Sequence, residues 1–93
     1  MRLTQEEITS ITSVIRTYDQ DAKIYLFGSR VDDQKRGGDI DLLIFSKGIS
    51  STEKRKIRLA LYDRLGEQKI DLVIAQDTSK PFVRIALEQG VQL

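Results

Sequence analysis

The chain has 93 residues with 15 lysines and arginines against 14 acids, so its net charge of +1 gives no reason to expect direct nucleic-acid binding. A single domain spanning residues 1–93 is expected from this length. The lack of cysteine and histidine excludes disulfides, thiolate nucleophiles, histidine-ligated zinc and Ser-His-Asp catalysis. Any chemistry must therefore use carboxylates, hydroxyls, lysines, arginines or bound ions.

The apolar runs of the sequence are of strand length, far below the roughly 20 residues that a membrane-spanning helix needs. The opening segment, MRLTQEEIT, is acidic and lacks the apolar core of a signal peptide. No membrane association is expected, and a cytoplasmic location follows by default.

The first predicted element is a helix from Thr4 to Tyr18. Thr4 followed by Glu7 fits a capping box, in which each side chain accepts the backbone N–H of the other residue. Apolar residues then recur at helical spacing, at Ile8, Ile11, Ile15 and Tyr18. The next segment, KIYLF at residues 23–27, is typical of a short strand, and the turn Gly28-Ser29 closes it.

The middle of the chain predicts a loop, a strand and a helix. Residues 30–38 are polar and end in two glycines, which indicates a loop. Residues 39–45, DIDLLIF, form the second predicted strand. A helix capped by Ser50 or Ser51 then runs to about Leu65.

The last part predicts a third strand, KIDLVIA, at residues 69–75, and a helix that begins with Pro81 in its first turn and ends near Gly90. One side of this helix is interpreted as core, at Phe82, Ile85 and Ala86. Residues 91–93 are a candidate fourth short strand. The element order predicts an open α/β sheet with helices packed on it. The second and third strands can be parallel because a helix joins them, whereas the direction of the first stays open.

Asp39 and Asp41 lie two residues apart at the start of a strand, so both carboxylates face the same side. Their Cα atoms are expected about 6.6–7 Å apart, a separation at which two carboxylates can bind one hard cation or bridge a pair. Either aspartate alone is readily explained as a solvated turn or strand residue. The pair is harder to explain, because aspartate disfavours strands and like charges repel unless something positive lies between them.

Asp71 lies within a strand that is otherwise nearly all apolar. Such runs suggest burial on both faces, where a carboxylate needs a partner. One hypothesis is a salt bridge to Lys23 or Lys69. The other is a metal ion shared with Asp39 and Asp41, and a site of carboxylates without histidine selects Mg²⁺ or Mn²⁺ over zinc.

Gly28 and Ser29 follow directly on the first strand. Backbone N–H groups at such a turn can bind an anion, and Arg30 could add a contact to phosphate. Most Gly-Ser pairs are ordinary turns, and an exposed salt bridge explains Arg30 equally well. The pair becomes informative because an Asp-x-Asp follows on the next strand.

The run GSRVDDQKRGGDIDLLI, followed by KIDLVI, resembles the nucleotidyltransferase domains of the DNA polymerase beta superfamily, most closely the minimal, stand-alone members called MNT domains. The resemblance covers residues 23–75. The loop between Ser29 and Asp39 is one residue shorter than the commonest family form, a change that loops tolerate. The resemblance implies an α/β nucleotidyltransferase-type fold, with helices packed on a mixed sheet.

The resemblance also implies roles for these residues. Gly28 and Ser29, with Arg30 nearby, would bind the triphosphate of a nucleotide, and ATP is the expected donor. The three aspartates, Asp39, Asp41 and Asp71, would bind Mg²⁺ or Mn²⁺ for a two-metal displacement at the α-phosphorus, and Asp71 would help activate the attacking hydroxyl.

A partner is implied as well. Larger relatives carry a helical acceptor-binding domain that the sequence does not show. Minimal members typically act with a small all-helical HEPN toxin as its antitoxin, and can transfer AMP to a tyrosine of that toxin. The predicted function is therefore a Mg²⁺-dependent protein adenylyltransferase in a hetero-oligomeric toxin–antitoxin system.

Two other hypotheses stay open. The chain could be a non-catalytic antitoxin that neutralises its partner by complex formation, or an unrelated α/β domain whose acids are structural. Gly28, Ser29 and the three aspartates together favour catalysis, because a pure binding module does not need them all. The basic cluster at residues 53–58 is interpreted as a solvated helix face.

Overall fold

A computed structural model describes residues 3–28, 39–66 and 68–93 of the chain. Within these ranges the chain forms three helices and four strands. The helices are α1 (Gln5–Tyr18), α2 (Ser51–Leu65) and α3 (Pro81–Gln89), and the strands are β1 (Lys23–Phe27), β2 (Ile40–Phe45), β3 (Ile70–Ala75) and β4 (Val91–Gln92). The loop that was expected at residues 30–38 lies outside the described ranges.

Local sequence signals explain where the first two helices begin. At α1 the Glu7 amide donates to the Thr4 hydroxyl at 3.1 Å, and the Thr4 amide donates to the Glu7 carboxylate at 2.9 Å. Ser50 and Glu53 form the same capping box at α2, with distances of 3.2 Å and 3.1 Å. The predicted capping box at Thr4 is confirmed, and Ser50 rather than Ser51 caps α2. Helix α3 begins at Pro81, as predicted.

The strands form one sheet in the order β3-β2-β1-β4. Strands β2 and β3 are parallel, with Asp41 opposite Asp71, and the connection through α2 makes this possible. Strand β1 runs antiparallel to both β2 and β4, with Phe27 opposite Asp41. The mixed α/β sheet confirms the predicted fold class, and the direction of β1 fills in what the sequence left open.

Each face of the sheet has its own hydrophobic cluster. The even-numbered strand residues, such as Ile24, Leu42 and Leu72, pack with α1 and α2 to form the main core. Odd-numbered residues lie on the other face, where Leu43 and Ala75 pack against α3. Because side chains alternate along a strand, this parity places the strand aspartates on the face that α3 partly covers.

The interpretation of one side of α3 as core was wrong for two of its three residues. Ala86 is buried as expected, together with Val83, but Phe82 is 48% exposed and Ile85 is 52% exposed. The helix has only nine residues and one buried stripe, and Val83 and Ala86 occupy that stripe at a spacing of three. Phe82 and Ile85 lie beside this stripe and are therefore about half exposed.

No helix in the described ranges is both long and apolar enough to cross a bilayer.

Candidate active site

The sheet brings the three predicted aspartates together at one end of β2 and β3. Asp41 and Asp71 are register partners in the parallel pair, so their side chains stand next to each other on the α3 face. Asp39 precedes β2 by one residue, on the same side as Asp41. One carboxylate oxygen from each of the three lies within 4.8 Å of the others, and all three residues are half-buried.

Gly28 closes β1 directly against this cluster. Its φ angle is +77°, in the region that favours glycine. A Cβ atom placed on Gly28 would collide with the Asp41 carboxylate. Both observations require glycine at this position. The strand end thereby comes into contact with the carboxylates.

Ser29 and Arg30, the other predicted phosphate-binding residues, lie outside the described residues. Their roles therefore stay predictions of the sequence.

Among the described residues, Lys69 is a cation that lies beside the cluster. Its Nζ lies 3.4 Å from Asp39 Oδ2, with side-chain exposures of 68% and 40%. The neighbouring Asp39, followed by Asp71 and Asp41, raises the pKa of Lys69. An ion pair so exposed adds little to stability, and the single positive charge of Lys69 cannot balance three carboxylates.

The salt bridges considered for Asp71 are not those that the structure shows. Lys23 lies opposite Phe45, at the other end of the sheet, because β1 is antiparallel to β2. Lys69 pairs with Asp39 instead of Asp71. The parallel register explains this, since the residue before β3 lies beside the residue before β2: the Ile40 amide donates to the Lys69 carbonyl at 2.9 Å. The sequence did carry a signal for a lysine at this cluster, because Lys69 lies two residues before Asp71.

The carboxylates disfavour one another's charge. Burial raises the pKa of Asp41 above its ordinary value, and the Asp71 carboxylate and a hydrogen bond to it raise it further. Asp39 adds to this effect, while Lys69 opposes it. Three carboxylates this close repel one another unless a cation lies between them. The site is therefore built in a way that favours a bound positive ion.

The donor set fits a hard divalent cation. Mg²⁺ and Mn²⁺ prefer carboxylate oxygen ligands, and the cluster offers three such groups. Asp39, Asp41 and Asp71 would hold such an ion, which would neutralise a triphosphate and polarise its phosphoryl oxygens.

The match to the family model "Polymerase beta, Nucleotidyltransferase" spans residues 9–93, almost the whole chain. The chain therefore belongs to the polymerase beta nucleotidyltransferase family. A solved structure shows a related fold: a chain in the crystal structure of a mutant toxin-antitoxin MntA-HpeT is similar with a TM-score of 0.73 and 23% sequence identity. The similarity covers 97% of this chain and 71% of that one.

These findings confirm the predicted minimal nucleotidyltransferase domain in family and in fold. At 23% identity the solved structure supports the fold alone. Among curated proteins, none gave a significant match.

Proposed function

We propose that this domain is a Mg²⁺-dependent nucleotidyltransferase that moves AMP from ATP to a tyrosine of a small helical HEPN-type partner, and so acts as its antitoxin. The observation that carries the catalytic part is the cluster of Asp39, Asp41 and Asp71, whose oxygens lie within 4.8 Å of one another. The cluster lies on a nucleotidyltransferase fold, beside the Gly28 turn. The reaction is proposed to take place in the cytoplasm.

Each residue has a distinct role in this proposal. Asp39 and Asp41, together with Asp71, would hold a cation that neutralises the triphosphate, and the turn of Gly28 and Ser29 would bind the phosphates, with Arg30 nearby. Asp71 accepts the proton of the acceptor hydroxyl as that oxygen attacks the α-phosphorus. The bond from the α-phosphorus to its bridging oxygen breaks, and pyrophosphate leaves with the electron pair.

The fold similarity to a chain of the MntA-HpeT toxin-antitoxin structure supports the partner half of the proposal. It also supports a second candidate, an antitoxin that neutralises its partner by binding alone. The carboxylate cluster favours the catalytic candidate, because mutual repulsion of the three groups has no use in a protein that only masks a surface.

The test is incubation of the domain with a co-expressed HEPN-type protein, Mg²⁺ and each ribonucleoside triphosphate in turn. Intact-mass spectra should show the partner heavier by a nucleoside monophosphate, with ATP as the preferred donor. Asp71→Asn should still bind ATP through Asp39 and Asp41, but should lose transfer by about 100-fold or more, the typical contribution of an acid–base group.

Asp63→Asn is the matched control. Asp63 is exposed on α2, so this substitution makes the same chemical change outside the cluster. This variant should transfer at the wild-type rate. A stable complex without any adduct, in the wild type and with every nucleotide, would contradict the catalytic proposal and favour neutralisation by binding.

A further inference from the structure

The outer edge of β3 is open in the described part of the chain. Strand β3 lies at one end of the order β3-β2-β1-β4, and no described strand pairs with its outer side. Strand β3 has six residues, IDLVIA, of which one is charged. Strand β4, at the opposite edge, has only two residues. Natural sheets usually protect long edges with charges, bulges or covering segments. An apolar edge of this length is therefore suited to bind another strand.

The backbone groups at this edge follow from the pairing on the inner side of β3. The Ile40 amide donates to the Lys69 carbonyl at 2.9 Å, and the Ser46 amide donates to the Ala75 carbonyl at 3.0 Å. Because hydrogen-bonding direction alternates along a strand, the odd-numbered residues of β3 point towards β2. The N–H and C=O groups of Leu72 and Ile74 therefore point to the open edge.

Asp71 belongs to this edge strand, and its carboxylate is the proposed acceptor of the tyrosine proton. Neighbouring strands in a sheet are roughly 4.8 Å apart. A side chain on the same face of an added strand would therefore lie directly beside the Asp71 carboxylate. A tyrosine in that register would have its hydroxyl next to the cluster.

A cavity of about 630 Å³ begins two residues further along β3, where Val73 and Ala75 share the face of Asp71. Phe82 forms part of its wall and is 48% exposed. The Phe82 ring is held edge-on against Phe27, with 5.5 Å between the ring centroids. Residues on one face of an added strand have the same spacing as those on one face of β3. If the tyrosine lies beside Asp71, the side chain two residues away from it would therefore reach this cavity.

The charges around the cavity favour an acidic segment. Lys54 and Lys80 both line it. The Asp77 carboxylate there accepts a hydrogen bond from the Ser79 amide at 3.0 Å, and the hydrogen bonds from Ser79 lower its pKa. The residues that line the cavity thus include two lysines and one carboxylate, so positive charge is in excess there.

We propose that the open edge of β3 binds an extended, acidic, tyrosine-bearing segment of the acceptor protein by strand pairing. The tyrosine then lies beside Asp71, and an apolar side chain two residues away enters the cavity next to Phe82. This inference rests on the proposed function, since it assumes that a protein tyrosine is the acceptor. A new bond joins the tyrosine oxygen to the α-phosphorus, the proton passes to Asp71, and pyrophosphate leaves with the electrons of the broken bond.

The test uses the synthetic peptide acetyl-Glu-Val-Thr-Tyr-Thr-Val-Glu-amide, and the same peptide N-methylated on its valines and threonines. In Mg²⁺ without ATP, the first peptide should slow hydrogen exchange of the Leu72 and Ile74 amides, and the methylated peptide should not. With ATP added, the first peptide should be nucleotidylated. Ile74→Pro removes one edge N–H without breaking the pairing to β2, whereas Ile74→Ala removes the side chain and keeps that N–H.

Ile74→Pro should lower kcat/KM for the peptide about tenfold relative to Ile74→Ala, the equivalent of one lost hydrogen bond, with ATP affinity unchanged. Equal modification of the peptide by both variants, or binding that leaves the Leu72 and Ile74 amides unprotected, would overturn the inference. Protection of these amides without nucleotidylation would contradict the proposed function and not the docking edge. Nucleotidylation without protection would do the reverse.

Discussion

Strand β2 has carboxylates near both of its ends, and their surroundings differ. Beyond its carboxyl end, the Asp19 carboxylate accepts a short hydrogen bond from the Ser46 hydroxyl and another from the Asp21 amide at 3.0 Å. The Ser46 hydroxyl in turn accepts the amides of Gly48 and Ile49 at 3.1 Å and 3.2 Å. This carboxylate thus has hydrogen-bond donors from the chain itself and joins the end of α1 to the end of β2.

At the amino end of β2 the aspartates face one another. Asp41 and Asp71 stand side by side. Burial is the largest cause of the raised pKa of Asp41, and the interaction with Asp71 is the next largest. Lys69 reaches Asp39 from an exposed position. One fold thus uses the same type of side chain in two ways. Asp19 is satisfied from within the chain, whereas the cluster is stabilised best by an ion from outside.

The largest effect that follows from this comparison is on nucleotide binding and transfer. Asp41→Asn should lose Mg²⁺-dependent ATP binding and lower transfer by about 100-fold or more, because the cation loses a charged ligand. Asp19→Asn should keep transfer within about twofold, because Asp19 lies at the opposite end of β2 from the aspartate cluster and contacts Ser46 and Asp21 instead. Calorimetry with ATP and Mg²⁺, followed by transfer assays, measures both. Unchanged transfer in Asp41→Asn would remove this residue from the site.

The second effect is on stability, at the other end of β2. Ser46→Ala should lower the free energy of unfolding by about 1–3 kcal/mol, because it leaves the buried Ile49 amide and the Asp19 carboxylate without this partner. Ser13→Ala is the matched control, since Ser13 is exposed on α1 and alanine suits a helix. Urea denaturation compares the two. Equal midpoints would mean that the Ser46 hydrogen bonds contribute nothing.

The chain's local signals were enough to predict its elements and the cluster. Capping residues such as Thr4 act within a turn of the helix that they begin, and Asp39 and Asp41 share a face because of strand geometry alone. Placing Asp71 beside them required only that the strand after α2 return parallel to β2. The first two predictions depend on short-range geometry, which a single sequence carries, whereas the position of Asp71 also required the rule that a helix between two strands allows them to be parallel neighbours.

What the sequence did not predict depends on contacts between distant segments. The direction of β1 decides that Lys23 lies far from Asp71, and nothing in the residues 23–27 states that direction. The position of Phe82 beside the buried stripe of α3 leaves it 48% exposed, although it is apolar and its ring packs against Phe27. The hydrogen bond from Ser46 to Asp19 joins residues 27 positions apart in the sequence, and no local sequence signal links them.

The smallest expected effect is on the metal-free protein and its pH dependence. Burial and the neighbouring carboxylates raise the folded-state pKa of Asp41 above its unfolded value. Between these two pKa values the folded state holds more protons than the unfolded state, so this group's contribution to stability falls as the pH rises through that interval. Asp41→Asn should remove the decline and stabilise the metal-free protein at neutral pH by less than about 1 kcal/mol, because Asp41 is only half-buried and solvent screens its charge.

Urea denaturation in EDTA at several pH values between about 4 and 7, where carboxylates titrate, measures this effect. Asp63→Asn is again the control, as Asp63 is exposed on α2 and its substitution should leave the pH profile of the wild type unchanged. Adding Mg²⁺ should then stabilise the wild type by mass action and leave Asp41→Asn nearly unaffected. A metal-free Asp41→Asn that is less stable than the wild type at neutral pH would show that Asp41 contributes to the fold as Asp19 does, and the contrast between the two ends of β2 would fail.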